Sequence, residues 1–301
     1  MKIGLIAEFN PFHNGHKYLI QKIKEKFPKS KIICALSSDY VQRGEIAILP
    51  FEKRKEIALK FGIDEVYELD FFTSTQAAHI FAKGAIDLLL KKGIDILCFG
   101  VSDTETVEPY YNAANAIKNN LSTYNENLKK TLKEGKSFVL ASYLSLAKLI
   151  GEENVPKDIL GLEYVKYIVQ NNLSIKAFSF KRTVEHNSEK ANEIYASATL
   201  IRSLLKEGKD VSNFCPISYK GPFKDIRDLY PKFQEIICTK SSEEIAKIHL
   251  VTEGMENLFK KNIDAKSYDE FVDLCTSKRY TKSRIKRVIL YILLDIKKVS
   301  N

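Results

Sequence analysis

The chain has little of what covalent or metal chemistry usually requires. Its five cysteines (Cys34, Cys98, Cys215, Cys238, Cys275) are scattered, odd in number and form no CxxC pair, so no zinc site is expected. Cys34 and Cys98 lie in apolar strand-like runs and read as buried thiols. No apolar run approaches the ~20 residues that cross a bilayer. The first strand is short and runs straight into a polar motif, so it does not read as a signal peptide. There is no internal repeat, no low-complexity segment, no compact polybasic tail and no basic amphipathic anchor. With an ordinary hydrophobic content of 45%, these absences predict a soluble cytoplasmic protein with no membrane partner. The formal charge of +9 then suits a polyanion such as RNA better than an acidic substrate.

Histidine is scarce too, with five in 301 residues, and two of the five stand together. They occur in Phe9-Asn10-Pro11-Phe12-His13-Asn14-Gly15-His16, after an apolar segment, Lys2–Ala7, and before an amphipathic segment from Lys17. A strand, a tight turn with Pro and Gly, and a helix opening make a geometry that holds phosphates. Imidazoles at i and i+3 share one face of the first helical turn. The competing reading is a polar helix cap with incidental histidines.

The first hundred residues alternate between strand patterns (Lys2–Glu8, Lys31–Ser37, Glu65–Leu69, Asp95–Phe99) and helix patterns (about 15–27, 51–61, 76–92). This alternation predicts an α/β fold, a Rossmann-like parallel sheet covered by helices on both faces. Its ligands would sit beyond the carboxyl ends of the strands, where strand order reverses. Residues 109–171 read as helical, Ser174–Lys181 as one more strand, and Tyr195–Thr199 as the entry to a helix ending at Gly208. Residues 209–240, with three of the eight prolines, read as an irregular linker, and 242–262, 267–277 and 281–298 as helices. The expected division is a nucleotide-binding domain over 1–210 and a mostly helical region over 211–301.

Two further elements carry possible chemistry. Ser197-Ala198-Thr199 offers hydroxyls and N–H groups at a helix start, either for phosphate or as ordinary capping. Lys278, Arg279, Lys282, Arg284, Lys286 and Arg287 surround Tyr280, which suits RNA contact with stacking but equally a solvated basic face.

Gly4–His16 resembles the HxGH nucleotidyltransferase superfamily, whose members cleave ATP between the α and β phosphates. Thr199-Leu200-Ile201-Arg202 matches that superfamily's later Ser/Thr-x-x-Arg element. A narrower resemblance, to the bacterial tRNA(Met) cytidine acetate ligase family, runs along nearly the whole chain. It is carried by Glu8–His16, Gln42-Arg43-Gly44-Glu45, Phe99-Gly100, Ile159–Tyr164, Ala196–Thr199, Glu253–Asn257 and Arg279–Ile285.

The resemblance implies an ATP-dependent ligase. It would convert acetate to acetyl-adenylate and acetylate the wobble cytidine of elongator tRNA(Met). ATP would come with Mg2+ as counter-ion, although no carboxylate cluster for the metal stands out. The turn residues Ile6, Ala7, Glu8, Phe9, Asn10, Pro11, Phe12, Asn14 and Gly15 would wrap ATP, with His13 and His16 on its phosphates. Gly100 would lie against the adenosine. Arg182, Ser197, Thr199 and Arg202 would face the phosphates, and Asp158 falls in the same ATP-binding set. Arg43, Arg279, Tyr280, Lys282, Arg284 and Arg287 would bind tRNA; for Arg43, acetate, phosphate or a loop pair with Glu45 are alternatives. Two stretches depart from the family pattern: Asp158 replaces the usual Asn, and Thr183–Asn187 replaces a Gly-rich stretch with Tyr-His. An acid near ATP phosphates would repel them. The other functional readings are adenylation of a different acceptor and a non-catalytic RNA-binding relative.

Overall fold

The structure is a computed structural model that describes residues 1–104, 106–183 and 191–298. The chain opens with β1 (Lys2–Ala7), α1 (Asn14–Lys26), β2 (Lys31–Leu36), a hairpin of β3 (Tyr40–Val41) and β4 (Glu45–Ile46), α2 (Phe51–Lys60) and β5 (Glu65–Glu68). Next come α3 (Phe71–Ser74), α4 (Ala78–Lys91), β6 (Ile96–Val101), α5 (Glu108–Asn119), α6 (Leu121–Lys133), α7 (Phe138–Ile150), α8 (Ile159–Gln170), β7 (Lys176–Lys181) and α9 (Ala198–Lys206). The remainder is helical: α10 (Tyr230–Thr239), α11 (Ser242–Ala246), α12 (Met255–Lys261), α13 (Tyr268–Cys275) and α14 (Lys282–Leu293).

Strands β5-β2-β1-β6-β7 form one sheet in that order, every pairing parallel. Such a sheet must be covered on both faces, and its residues alternate accordingly. Ile3, Leu5, Ile32, Cys34 and Leu36 pack with Ile20 and Ile23 of α1 and Ala58 of α2. Ile33, Ala35, Leu97 and Phe99 pack on the other face with Phe81 and Ala85 of α4, Tyr110 of α5 and Val165 of α8. The chain winds outward from β1 to β2 and β5, then returns to β6 on the other side of β1. The crevice at the carboxyl ends of β1 and β6 is therefore where strand order reverses.

A second core runs from Ile226 to Leu293, and Tyr40, Ile46 and Phe71 of the first half pack against it. Val211 and Cys215 share a cluster with Ala196 and Ile201 of the α9 region, and Phe214 and Tyr219 pack against it.

Three sequence expectations need correction. The supposed linker 209–240 contains α10, with a proline in its first turn, where the missing N–H costs nothing. The helix expected over 242–262 is two short ones, interrupted by left-handed backbone at Leu250, Glu253 and Gly254. The β3–β4 hairpin was not expected; strands of two residues are too short to show alternation. Among the described residues, no helix is long and apolar enough to cross a membrane.

Candidate active site

The turn after β1 is built from within. Phe9 takes left-handed φ (+45°), and Phe9 and Phe12 are buried edge to face, ring centroids 5.0 Å apart. These rings are the core on which the turn rests, and their burial leaves no surface for a nucleotide. Asn10 is also buried: its Oδ1 accepts from the Ile48 amide at 2.9 Å. Asn14 donates its amide to the Phe214 carbonyl (2.8 Å) and its side-chain nitrogen to the Ile194 and Asn213 carbonyls (2.9 Å each). Tyr219 donates to the Phe12 carbonyl at 2.6 Å. Phe9, Asn10, Phe12 and Asn14 thus shape the turn by their contacts with the protein.

Two histidines close the turn by capping α1 on each other. His13 Nδ1 accepts from the Gly15 amide at 3.1 Å, and His16 Nδ1 accepts from the His13 amide at 3.2 Å. This is the reciprocal capping arrangement with imidazoles in place of the usual Ser and Glu. A nitrogen that accepts an N–H bond carries no proton, so the backbone assigns each ring its Nε2–H tautomer. Two Nε2–H donors result, on rings 3.8 Å apart at the positive end of α1. The capping and phosphate-holding readings are therefore compatible: the cap uses Nδ1 of each ring and does not use Nε2.

Gly15 has a local reason. A Cβ there would sit 2.9 Å from Cε1 of His13, so the ring lies directly over it. Gly100 likewise faces Arg182, whose stem a Cβ would meet at 3.1 Å. Arg182 Nη2 pairs with Asp158 Oδ1 at 3.1 Å, and its Nη1 is buried with no hydrogen-bond partner among the described residues. Asp158 also accepts from the amide and hydroxyl of Ser102, both at 2.8 Å. The expected repulsion from Asp158 is thereby offset, because its charge is spent on Arg182 and on the loop after β6. Of the departing stretch, Val184–Asn187 lies outside the described residues.

Ser197 caps α9, accepting from the Leu200 amide at 3.1 Å. Arg202, one turn on, donates to the Asn10 carbonyl (2.8 Å) and to the Thr199 hydroxyl (3.4 Å), joining α9 to the histidine turn. Beside Arg202 opens a cleft of about 490 Å3 between α9, the β3–β4 hairpin and the start of α14. Arg43, Lys206, Arg227, Lys282 and Lys286 reach it, and of these only Lys206 and Arg227 were not put forward from the sequence. Glu45 sits at its edge. Burial would raise its pKa, but Lys286 at 2.6 Å, and Arg202 beyond it, hold the carboxyl below its ordinary value. The ion pair drawn between Arg43 and Glu45 from sequence is replaced, for Glu45, by pairs to Lys286 and Arg202.

The C-terminal cluster is not one surface. Tyr280 is buried and donates to the Glu253 carbonyl at 3.1 Å, so its ring has no face for a base. Arg287 is only 8% exposed and donates to the Gln42 carbonyl at 3.3 Å. Arg279 pairs with Glu253, and Arg284 donates to Thr252 and lies over the Tyr280 ring. Of this cluster, Lys282 and Lys286 line the cleft.

Cys34 and Cys98 are buried and free, and burial pushes the Cys98 thiol up to about 12.

A family model described as HIGH Nucleotidyl Transferase matches residues 1–301. Curated relatives named tRNA(Met) cytidine acetate ligase come from Mycoplasma mobile, 51% identical over 300 residues, and Mycoplasmopsis pulmonis, 54% identical over 298. Each match covers 99% of this chain and 100% of the relative. The chain belongs to the tRNA(Met) cytidine acetate ligase family. A Listeria monocytogenes family member of the same name is 33% identical, across 98% of this chain and 80% of its own. Among solved structures, the apo form of Thermotoga maritima TmcAL superposes with a TM-score of 0.89 at 29% identity, covering 99% of this chain and 76% of that one. TmcAL bound with alpha-thio ATP gives a TM-score of 0.86 at 28% identity, covering 99% and 75%. A protein of this fold thus holds an ATP analogue.

Proposed function

We propose that this chain joins acetate to the wobble cytidine of elongator tRNA(Met) at the expense of ATP. The observation that carries the reading is the stacked pair of His13 and His16, whose Nδ1 atoms cap a helix that starts just beyond β1. In the first step the acetate carboxylate attacks the α-phosphorus, the bond to the β-phosphate oxygen breaks, and pyrophosphate leaves. Negative charge grows on the departing phosphate, and fixed donors aimed at it lower the barrier. His13 and His16 supply them, with Arg182 and Arg202 as further charge. In the second step the cytidine N4 amine attacks the acetyl carbonyl, the bond to AMP breaks, and N4 gives up a proton. Neither step needs a nucleophilic side chain, in keeping with the buried thiols.

Among the described residues no group of three His, Cys, Asp or Glu could hold a metal ion. Magnesium would therefore be held mainly by the triphosphate, as is usual for this hard, hydrated cation. ATP labelled at the α-phosphate, incubated with acetate and total tRNA, tests the proposal. Acetate-dependent pyrophosphate release with acetyl groups on the RNA is expected. Label transferred to the RNA, or ATP binding without pyrophosphate release, overturns it.

A further inference from the structure

The cleft beside Arg202 is lined by six cationic side chains, Arg43, Arg202, Lys206, Arg227, Lys282 and Lys286, and by one carboxylate, Glu45. Their spacing is orderly. Thr199, Arg202, Ser203 and Lys206 fall at i, i+3, i+4 and i+7 of α9 and form one stripe. Lys282, Ser283 and Lys286 form a second stripe on the opposing turns of α14. Two of the cations are set in place from behind. Asp225 takes Lys206 on one side and Arg227 at 3.3 Å on the other, and Asp269 takes Arg227 at 2.8 Å.

We infer that this cleft grips backbone phosphates of the acceptor RNA, and that the strand enters here and not over the outer face of α14. The inference rests on the ligase reading and gives its second substrate a place. Three observations support it. First, the arginines of α14 turn away from the cleft, Arg284 to Thr252 and Tyr280 and Arg287 beneath the hairpin, while Lys282, paired with Asp273 at 2.5 Å, and Lys286, paired with Glu45 at 2.6 Å, line it. Second, Arg202 is both a wall of the cleft and a partner of the Asn10 carbonyl, so a phosphate bound here lies alongside the histidine turn. Third, four cations in two facing rows, with Arg43 and Arg227 beside them and hydroxyls between, suit a strand carrying successive phosphates and carry no base-specific pattern. Sequence would then be read elsewhere, and the cleft would fix register beside the adenylate.

Pyrophosphate shares this chemistry, so the test separates the two sources. Labelled, unmodified tRNA(Met) transcript is titrated with wild type, with the Lys206→Gln, Lys282→Gln double variant, and with Arg279→Gln from the outer face. The double variant is expected to raise the RNA Kd about tenfold near 0.1 M salt and to reduce the slope of log Kd against log salt by about 1.4, two single-strand phosphate contacts. Arg279→Gln is expected to change Kd less than about twofold. An unchanged Kd and slope in the double variant, or an equal loss in Arg279→Gln, overturns the inference. So does a rise in KM for ATP and in the inhibition constant of pyrophosphate that matches the rise in RNA Kd, because the cleft would then serve the leaving group. Acetylation by the wild type, followed in parallel, judges the ligase reading separately. Salt-dependent binding through the cleft without acetylation would sink that reading alone.

Discussion

His13 and His16 lie ring against ring, centroids 3.8 Å apart and planes at 29°, and each cap bond uses the nitrogen that faces the backbone. Capping and catalysis can therefore be separated by one substitution. Asparagine places an oxygen about where Nδ1 stands and nothing where Nε2 stands. His16→Asn is expected to keep the cap and lose the donor. Acetate-dependent ATP–pyrophosphate exchange should fall about 10²–10³-fold, the usual cost of a donor to developing charge. The thermal midpoint should move by no more than about 2 °C, since the cap acceptor survives. A fall in midpoint that parallels the loss of exchange would make His16 a cap and nothing more.

Arg54 is fully buried, and carbonyls hold its guanidinium. Its guanidinium donates to the Leu49 carbonyl (2.9 Å), the Glu8 carbonyl (2.7 Å) and the Ser38 carbonyl, tying the end of β1 to the end of β2 beneath the histidine turn. Methionine fills similar space but leaves three carbonyls unpaired. Arg54→Met is expected to cost about 3 kcal/mol or more in urea unfolding, at about 1–3 kcal/mol for each buried group left unsatisfied. A cost under about 1 kcal/mol would mean that water replaces the guanidinium.

Arg54 also shows where sequence reading stops. In Phe51-Glu52-Lys53-Arg54-Lys55 it sits in a run of charges, and its neighbours Glu52, Lys53 and Lys55 do face solvent. Nothing in the pattern says that the fourth residue of α2 points under the sheet edge. The sheet itself was legible, because Ile32-Ile33-Cys34-Ala35-Leu36 and Ile96–Phe99 are apolar on both faces, as buried parallel strands must be. The histidine turn was legible because its residue types are rare and closely spaced. The C-terminal cluster was misread for the same reason as Arg54. Ile285, Val288, Ile289 and Ile292 mark the inner face of α14, but Arg287 is covered from the side by the unforeseen hairpin. Proline misled at α10, where it opens a helix and does not break one.

Gly44 is the contact that seats this hairpin on α14. Its φ is +76°, and a Cβ would fall 2.5 Å from the Arg287 amide nitrogen and 2.6 Å from its Cα. Backbone on both sides leaves no flexible group to yield. Gly44→Ala is expected to cost about 2–4 kcal/mol, combining left-handed strain of about 1 with overpacking of about 1–3. Gly208 provides the comparison: φ is +69°, and nothing lies within 4 Å of its Cβ position. Gly208→Ala should cost only the backbone share, about 1 kcal/mol. Equal urea midpoints for the two variants would show that the hairpin moves freely off the helix.

Acid should loosen the fold before Glu45 and Asp225 titrate, and His79 is one cause. At the start of α4 its ring lies 4.9 Å from that of Phe138. Burial lowers its pKa from the ordinary 6.5; Lys166 and Arg287 push the same way, while Glu163 opposes them. His249 is lowered by burial and by Lys298. A ring that binds its proton less readily when folded favours the native state while it is neutral. Its contribution is complete above about pH 6.5 and is lost as pH falls through that value toward the lower folded pKa. Glu45 and Asp225 are held low by their cations against the effect of burial, so their contributions are lost only below about pH 4.5. Urea unfolding at pH 7.5, 6.0 and 5.0 should therefore show a decline in the wild type that is shallower in His79→Gln, with the same steep fall in both below pH 4.5. An identical decline from pH 7.5 to 5.0 would assign the acid sensitivity to groups other than His79.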